Sequence, residues 1–243
     1  MTAVLVGAIG FLIGLAASDV GAQALDDQTP LRPFAGTCPE CRANRGWWRL
    51  RCSNCHRSIS REPVVALTTC LTALGFWNTV GLSWELPAYL AFLLLSAALL
   101  VTDLEQFRIV DRLNIVGSVV LVVLLAGAAL VEGNPGGLWR GLGGAGAYFV
   151  GTSLLFILVR GRGFGPGDVK LSPQLGLFTA YLGWSVLGWA AFATAVIGGV
   201  IALLLVLTGR ASRKTELPYG PPMIIGAWTA IVLVGVGAIP VPS

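Results

Sequence analysis

The sequence predicts an all-α polytopic membrane protein with about eight transmembrane helices. Its 243 residues are 55% hydrophobic and only 12% charged, whereas a soluble domain carries about 25% charged residues. Apolar runs recur along the chain, and each is long enough to cross ~30 Å of hydrocarbon. Membrane helices are also rich in glycine and proline, which agrees with the 32 glycines and 13 prolines. The net charge of +4 does not indicate a nucleic-acid partner; we expect the lipid bilayer to be the surrounding phase.

The apolar runs predict eight membrane spans. Their approximate limits are 3–20, 63–82, 86–102, 114–131, 138–159, 169–182, 186–207 and 223–239. The first span has no basic segment before it and no small-residue cleavage site after it. We therefore interpret it as a retained anchor rather than a secretory signal. The sixth span is short and contains Pro173, which makes it the least regular of the eight.

The basic residues predict the orientation in the membrane, because Lys and Arg concentrate in cytoplasmic loops. With the N-terminus outside, the loops that follow spans one, three, five and seven face the cytoplasm. Of the 16 basic residues, all except Arg140 lie in or beside these loops. The chain then divides into a first anchor at residues 1–20, a cytoplasmic loop at 21–61 and a seven-helix membrane domain at 62–243.

Two CxxC pairs lie in the loop between the first two spans. Cys38 and Cys41 form one pair, and Cys52 and Cys55 form the other. Each pair can direct two thiolates to one point, so together they predict a tetrahedral zinc site. A cytoplasmic location keeps thiols reduced and argues against disulfides. Because four thiolates leave no position for water, we expect a structural zinc ion; a redox-active CxxC is the alternative.

Two aspartates at predicted membrane boundaries are candidate catalytic residues. Asp103 follows the apolar run of span three, and Asp168 immediately precedes span six. In the predicted orientation both lie at the cytoplasmic boundary, where an ionisable group is costly and indicates function. Two adjacent carboxylates share one proton. The ionised one can then take a proton from water while the neutral one polarises a peptide carbonyl.

Each aspartate could instead cap a helix end or act as an interfacial charge. The surrounding glycines favour the catalytic interpretation. Gly163, Gly165 and Gly167 flank Pro166 and predict an open backbone that a substrate strand can approach. The same segment lacks the spacing of a phosphate-binding P-loop. Lys170 could equally extend its amine to the interface from a membrane-embedded stem.

These motifs together resemble those of the type IV prepilin peptidases, a family of membrane aspartyl proteases of the GxGD type. The segment Gly165-Pro-Gly-Asp-Val-Lys-Leu171 resembles the GxGDxKL signature of that family. The segment from Asp103 to Asp111 resembles the other motif, an Asp followed by a turn that ends in Ile-Pro-Asp, with Val110 in place of proline. The paired CxxC motifs and Pro218-Tyr-Gly-Pro221 also fit, although the family usually has Phe at the position of Tyr219.

The resemblance implies a location, a reaction and a set of site residues. The protein would lie in the cytoplasmic (inner) membrane of a prokaryote. There it would remove the basic leader peptide from type IV prepilins or pseudopilins on the cytoplasmic side, with Asp103 and Asp168 as the catalytic pair. Many bacterial members then methylate the new N-terminus with S-adenosylmethionine. The residues implied to shape the loop or bind substrate are Gly165, Gly167, Lys170 and Asp111, the last without a catalytic role.

Three departures from the family pattern concern methylation. The end of span one lacks the Gly-Ser-Phe-Leu-Asn-type stretch, the segment between the CxxC pairs is short, and Ala66 stands where a Glu is expected. Peptidase activity is therefore better supported than methyltransferase activity. The alternatives are a protease for an archaeal preflagellin-type leader and a catalytically silent scaffold whose zinc loop docks an assembly partner. A transporter is disfavoured, because both aspartates lie at one membrane face.

Overall fold

The computed structural model describes residues 1–24, 33–34, 38, 41, 52, 54–55, 61–106, 109–160, 164–208 and 219–241. These residues form eight α-helices and no strand, so the predicted all-α fold is confirmed for them. The helices are α1 (Thr2–Ala24), α2 (Arg61–Val80), α3 (Glu85–Gln106), α4 (Asp111–Val131), α5 (Pro135–Leu158), α6 (Pro166–Leu182), α7 (Trp184–Leu207) and α8 (Gly220–Gly235).

The eight helices follow the eight predicted spans in order. Within the described residues, six helices are long and apolar enough to cross a membrane, namely α1 to α5 and α7, and α8 is a shorter apolar helix. The chain is therefore an integral membrane protein. Helix α6 is also short, but most of its side chains are buried against the other helices. Because its neighbours shield it from lipid, it can carry polar side chains that a lipid-facing helix could not.

The proline inside α6 does not interrupt the helix. Pro173 has no backbone N–H and so cannot donate to the carbonyl oxygen of Val169. The hydroxyl of Ser172 donates to that oxygen instead, at 2.8 Å. The sixth span is therefore continuous from Pro166, three residues before its predicted start, because proline is favoured in the first turn of a helix.

Small residues set the spacing between neighbouring helices. A Cβ at Gly14 of α1 would lie 2.5 Å from the Cα of Ala66 in α2, and one at Gly226 of α8 would lie 2.5 Å from Oγ1 of Thr194 in α7. Side chains at these positions would force the helices apart. Lipid provides no hydrophobic drive for helix association, so such close van der Waals contact is a main source of stability in a membrane.

An aromatic cluster connects α2, α3 and α6 at the centre of the protein. Phe76, Tyr89, Phe92 and Phe178 are completely buried. The rings of Phe92 and Phe178 stack with centroids 4.5 Å apart, and the hydroxyl of Tyr89 donates to the carbonyl oxygen of Phe178 at 3.0 Å. The cluster holds α3 and α6 side by side. These are the two helices that carry the candidate catalytic aspartates.

At the opposite end of α6, Arg140 binds the end of the helix. The guanidinium group of this α5 residue donates to three carbonyl oxygens, those of Ala180, Tyr181 and Leu182. The last carbonyls of a helix have no partners within it and carry partial negative charge, which a cation stabilises. The structure thus gives a local reason for the single basic residue that departs from the predicted charge distribution.

The side chain of Tyr181 adds a second link at this end. Its hydroxyl donates to Glu85 at the start of α3, at 2.5 Å, and accepts from the amide of Asn134 before α5. The far end of α6 is therefore bound to both α3 and α5 by polar contacts. We call the group Glu85, Asn134, Arg140 and Tyr181 the far-end clamp.

Candidate active site and metal centre

The two candidate aspartates lie at helix ends. Asp103 is in the last turn of α3, and Asp168 is in the first turn of α6. Each residue retains only 5% of its accessible surface. Carboxyl groups this strongly buried are uncommon unless they are paired or have a function.

Asp168 caps the start of α6. The backbone N–H of Gly165 donates to Oδ2 of Asp168 at 2.8 Å, and the backbone N–H of Asp168 donates to the carbonyl oxygen of Gly165 at 3.2 Å. The capping role that the sequence offers as an alternative for Asp168 is therefore present in the structure as this contact. The cap engages only Oδ2, and it fixes the side chain so that Oδ1 is directed elsewhere.

Gly220, the first residue of α8, is the point where the two carboxylates meet. A Cβ added to Gly220 would lie 2.6 Å from Oδ2 of Asp103 and 3.5 Å from Oδ1 of Asp168. Both carboxylates therefore occupy the same small volume beside the Gly220 backbone, although they are distant in the sequence. The structure brings together the two aspartates that the sequence predicted as a pair.

The carboxylate of Asp103 is not used in a structural hydrogen bond through its Oδ2 atom. This oxygen is buried, and among the described residues no hydrogen bond of ordinary geometry reaches it, although the backbone N–H of Gly220 interacts with the same carboxylate. A buried acceptor without a donor is costly in free energy. An oxygen held in this way can accept a hydrogen bond from a shared proton, a water molecule or a substrate. Acid–base chemistry requires such an atom.

Two aromatic rings lie beside the pair. Phe164 precedes Gly165, and Tyr219 precedes Gly220; their rings meet edge to face with centroids 5.3 Å apart. The ring of Tyr219 rests on Gly198 of α7, where an added Cβ would lie 2.9 Å from Cε2. Phe164 is buried, so this ring contact packs together the two segments that lead into Asp168 and Gly220.

The glycines of the loop have different roles in the structure. A Cβ at Gly167 would lie 3.3 Å from the Cβ of Ile109, so this glycine allows the segment before α4 to approach α6 closely. Gly165 has φ −89° and ψ 160°, a conformation open to any residue. An added Cβ there would make an ordinary contact with Asp168 at 3.4 Å. Gly163 lies outside the described residues.

Lys170 and Asp111 bind each other. The amine of Lys170 lies 2.9 and 2.8 Å from the two carboxylate oxygens of Asp111, and both side chains are about half exposed. An exposed ion pair of this kind contributes about 0–1 kcal/mol to stability. The pair joins the start of α4 to the first turn of α6. It lies in the same region as the aspartates, but its charges compensate each other.

Gly220 is a site residue that the sequence does not predict. In the sequence, the motif Pro218-Tyr-Gly-Pro221 is only a family feature. The local sequence does mark Gly220 as a position with a fixed backbone, because Pro221 and Pro222 follow it directly at the start of a helix. Nothing in that segment alone shows that its glycine faces two carboxylates from other helices.

The four predicted cysteine ligands form a second candidate site before α2. The sulfur atoms of Cys38, Cys41, Cys52 and Cys55 all lie within 4.8 Å of one another. Two of the separations, Cys38 to Cys55 and Cys41 to Cys52, are 3.5 Å. Zinc–sulfur bonds of ~2.3 Å in a tetrahedron place sulfurs about 3.8 Å apart, so the cluster has the size of a four-thiolate metal site.

The electrostatics of the cluster also suit a metal ion. Backbone N–H groups of Cys55 and Asn54 donate to the sulfur of Cys52 and lower the pKa of its thiol to about 6. A thiolate rather than a thiol is the form that binds metals. Among the described residues the cysteines are not joined by disulfides. The cluster therefore fits a metal ion such as zinc.

Paired buried carboxylates at the ends of membrane helices define an integral membrane protein with a candidate acid–base site. The family model described as the type IV leader peptidase family matches residues 89–207, which include both aspartates. The prepilin leader peptidase/N-methyltransferase of Stutzerimonas stutzeri is 33% identical over 217 residues, covering 80% of this chain and 70% of that protein. This chain belongs to the type IV leader peptidase family.

Other relatives carry the same name. The protein from Aeromonas hydrophila is 31% identical over 76% of this chain, and that from Bacillus subtilis is 31% identical over 73%. The chain covers 63% of the length of the Aeromonas hydrophila protein and 68% of the Bacillus subtilis protein. No solved structure matches the chain. The family resemblance drawn from the sequence motifs is confirmed.

The cysteine cluster yields a test with cobalt as a spectroscopic probe. We expect Co²⁺ added to the metal-depleted protein to bind with one equivalent per chain and to produce intense sulfur-to-cobalt charge-transfer absorption. Cys52→Ser should abolish most of this absorption, because it removes one of four thiolates. Cys70→Ser, in α2 and outside the cluster, is the matched control and should behave like the unaltered chain. Equal absorption in the two variants would contradict the assignment.

Proposed function

We propose that this chain is a membrane aspartyl endopeptidase that removes the leader peptide of type IV prepilins or pseudopilins at the cytoplasmic membrane face. The meeting of Asp103 and Asp168 beside Gly220, both almost completely buried, is the observation that carries the proposal. Family membership and the printed names of the relatives support the substrate class. A silent scaffold has no need to bury two carboxyl groups together.

The proposed reaction uses the two carboxylates as a pair that shares one proton. The ionised group takes a proton from a water molecule as the water oxygen attacks the scissile carbonyl carbon. The protonated group donates to the carbonyl oxygen as negative charge develops there. The carbon–nitrogen bond then breaks, and the leaving amine receives a proton from the pair. The titration belongs to the pair, so neither role is tied to one aspartate.

The residues around the pair support this chemistry. The cap from Gly165 holds the Asp168 side chain in one orientation, which reduces the ordering required when substrate binds. Asp103 and Asp168 are almost completely buried, and electrostatic effects are stronger where water is excluded.

The substrate fits the position of the site. A prepilin presents a basic leader followed by a long apolar helix, and that helix can lie in the bilayer beside the enzyme. The scissile bond is then at the membrane boundary, at the depth proposed for the helix ends that carry Asp103 and Asp168. The charge of Asp111 is compensated by Lys170 and therefore contributes little to attraction of the leader.

The direct test is replacement of each aspartate by its amide. Asp103→Asn and Asp168→Asn should each lower kcat/KM for cleavage of a prepilin by about 10⁴-fold, since neither amide can share or transfer the proton. Glu132→Gln is the control, because it makes the same change of charge at the helix end after α4. Incubation of detergent-purified protein with a precursor, followed by mass measurement, reports the cleavage. Wild-type turnover by either Asp variant would remove that carboxylate from the mechanism.

A second test uses the glycine that faces both carboxylates. The methyl group in Gly220→Ala would lie 2.6 Å from Oδ2 of Asp103, so the carboxylate must move. A displacement of about 1 Å lowers the rate of a positioned reaction by about 10²-fold, and we expect a loss of that order in kcat. Gly146→Ala is the matched control, because an added Cβ there meets no atom within 4 Å. Unchanged kcat in Gly220→Ala would argue against chemistry at this place.

We further propose the topology and division of the chain. The N-terminus lies outside; the loop at 21–61 and the active site lie in the cytoplasm, with an anchor at 1–20 and a membrane domain at 62–243. The distribution of basic residues supports this arrangement. The convergence of Asp103, Asp168 and Gly220 at one end of their helices agrees with a single active face.

The orientation can be measured with a membrane-impermeant maleimide on a Cys70→Ser background, with the label on the introduced cysteine read from its own peptide by mass spectrometry so that the four cluster cysteines do not contribute. Gly136→Cys, at an exposed position beside the α4–α5 turn, should be labelled in cells whose cytoplasmic membrane is intact. Thr208→Cys, at the exposed end of α7, should be labelled only after permeabilisation. The reverse pattern would invert the proposed topology.

We propose zinc as the ion of the cysteine cluster, with a structural role, because four thiolates close its coordination. Metal analysis of the purified protein tests this identity.

Methylation has less support. Ala66, where the resemblance leads us to expect Glu, is fully buried against Gly14 of α1. A Glu side chain does not fit between helices at that separation. The mass of the cleaved product reports any added methyl group from S-adenosylmethionine.

A further inference from the structure

We propose that Asn114 and Gln174 are positioning residues that set the separation of the Asp103 and Asp168 carboxylates. This inference rests on the proposed function and deepens it. Neither side chain touches the pair. Both act through the joint between α4 and α6, which consists of Ile109, Asn114, Gly167 and Gln174 together with the backbone of Lys170.

The joint is held by two buried hydrogen bonds. The side-chain amide of Asn114 donates to the carbonyl oxygen of Lys170 at 2.8 Å, and the side-chain amide of Gln174 donates to Oδ1 of Asn114 at 3.0 Å. Asn114 and Gln174 are 3% and 2% exposed. Asn114 lies in the first turn of α4, whereas Lys170 lies near the start of α6 and Gln174 at its middle. The contacts therefore join the start of α4 to the first half of α6.

The joint also connects the two aspartates. Asp103 is near the end of α3, and α4 begins at Asp111, so the short segment 107–110 ties the start of α4 to the Asp103 end of α3. Ile109 in this segment is buried and packs against Gly167, the residue before Asp168. Movement at the joint would therefore change the position of one carboxylate relative to the other.

The rest of α4 packs against α3. Leu121 and Leu125 are buried, and a Cβ at Gly117 would lie 2.6 Å from the side chain of Leu95 in α3. The polar contacts at the start of α4 therefore join α6 to a helix that is itself held against α3, the helix that carries Asp103. The ion pair of Lys170 and Asp111 spans the same gap, but it is exposed and therefore a weaker restraint.

The orientation of the two amides leaves one atom unpaired. The side-chain NH₂ group of Asn114 donates to the carbonyl oxygen of Lys170, so its Oδ1 atom faces Gln174. Gln174 must therefore direct its own NH₂ group toward that oxygen. Oε1 of Gln174 remains buried, with no hydrogen-bond partner among the described residues. Such an oxygen lowers stability. An apolar side chain would remove it but would leave Oδ1 of Asn114 without its donor, so glutamine brings little net gain in stability. What glutamine does provide is a hydrogen bond that holds Asn114 of α4 against α6.

The experiment separates stability from positioning. Gln174→Leu removes the unpaired oxygen but also the donor to Oδ1 of Asn114. These two effects oppose each other, so we expect the variant to unfold in detergent near the wild-type temperature. Its kcat should nevertheless fall by about 10- to 100-fold, as expected for a displacement of up to ~1 Å, with KM within about twofold. Asn114→Ala should give the same split between kcat and KM.

The matched control is Thr152→Ala. Thr152 of α5 shares a buried hydrogen bond of 2.9 Å with Ser172 of α6. This variant therefore removes a comparable contact between α6 and a neighbouring helix. It should leave kcat within about threefold of wild type. Equal losses of kcat in Thr152→Ala and Gln174→Leu, or wild-type kcat in Gln174→Leu, would overturn the inference.

A proximity measurement is independent of activity. Asp103→Cys and Asp168→Cys are combined on the Cys70→Ser background, and their cross-linking by a short bis-methanethiosulfonate, which forms a disulfide with each thiol and releases sulfinate, is quantified by mass spectrometry. Adding Gln174→Leu should lower the yield severalfold, while adding Thr152→Ala should not; unchanged yield with Gln174→Leu overturns the inference. A wild-type chain that cleaves no prepilin refutes the proposed function, and the cross-linking result still decides the positioning role.

Discussion

Two carboxyl groups buried together at helix ends impose the main constraint on this structure. An isolated charge at this depth is costly in free energy, so the surroundings must bring both groups to one place and hold them there. Three helix ends, those of α3, α6 and α8, converge to do this. The absence of a side chain at Gly220 provides the space, and the cap of α6 fixes one of the two groups.

The rest of the membrane domain is arranged around α6. This helix carries Asp168, packs against α3 through aromatic rings and is covered by neighbours that face the lipid. Its polar residues are explained by that central place: Ser172 replaces the hydrogen bond lost at Pro173, and Gln174 reaches α4. The helix that hydropathy makes the weakest span is largely enclosed by protein, because hydropathy measures suitability for lipid rather than for a protein interior.

Local patterns predicted most of the fold. Apolar runs of membrane length are visible in the sequence, and so are paired CxxC motifs, because both depend on residues close together in the chain. The aspartates could be paired because each lies beside a recognisable motif at the same predicted boundary. What could not be predicted depends on contacts through space. The closeness of Gly220 to two carboxylates, the pairing of Lys170 with Asp111, and the amide contact between Asn114 and Gln174 each join helices whose relative placement no local pattern specifies.

The far-end clamp has a mechanical consequence. Because Arg140 and Tyr181 hold the last turn of α6, the helix cannot readily slide along its axis, and motion of its other end takes the form of a pivot. Seventeen residues at ~1.5 Å each give a lever of about 25 Å. A tilt of a few degrees at the pivot would then move the catalytic end by more than an ångström, and this swing is the motion that the joint between α4 and α6 is proposed to limit.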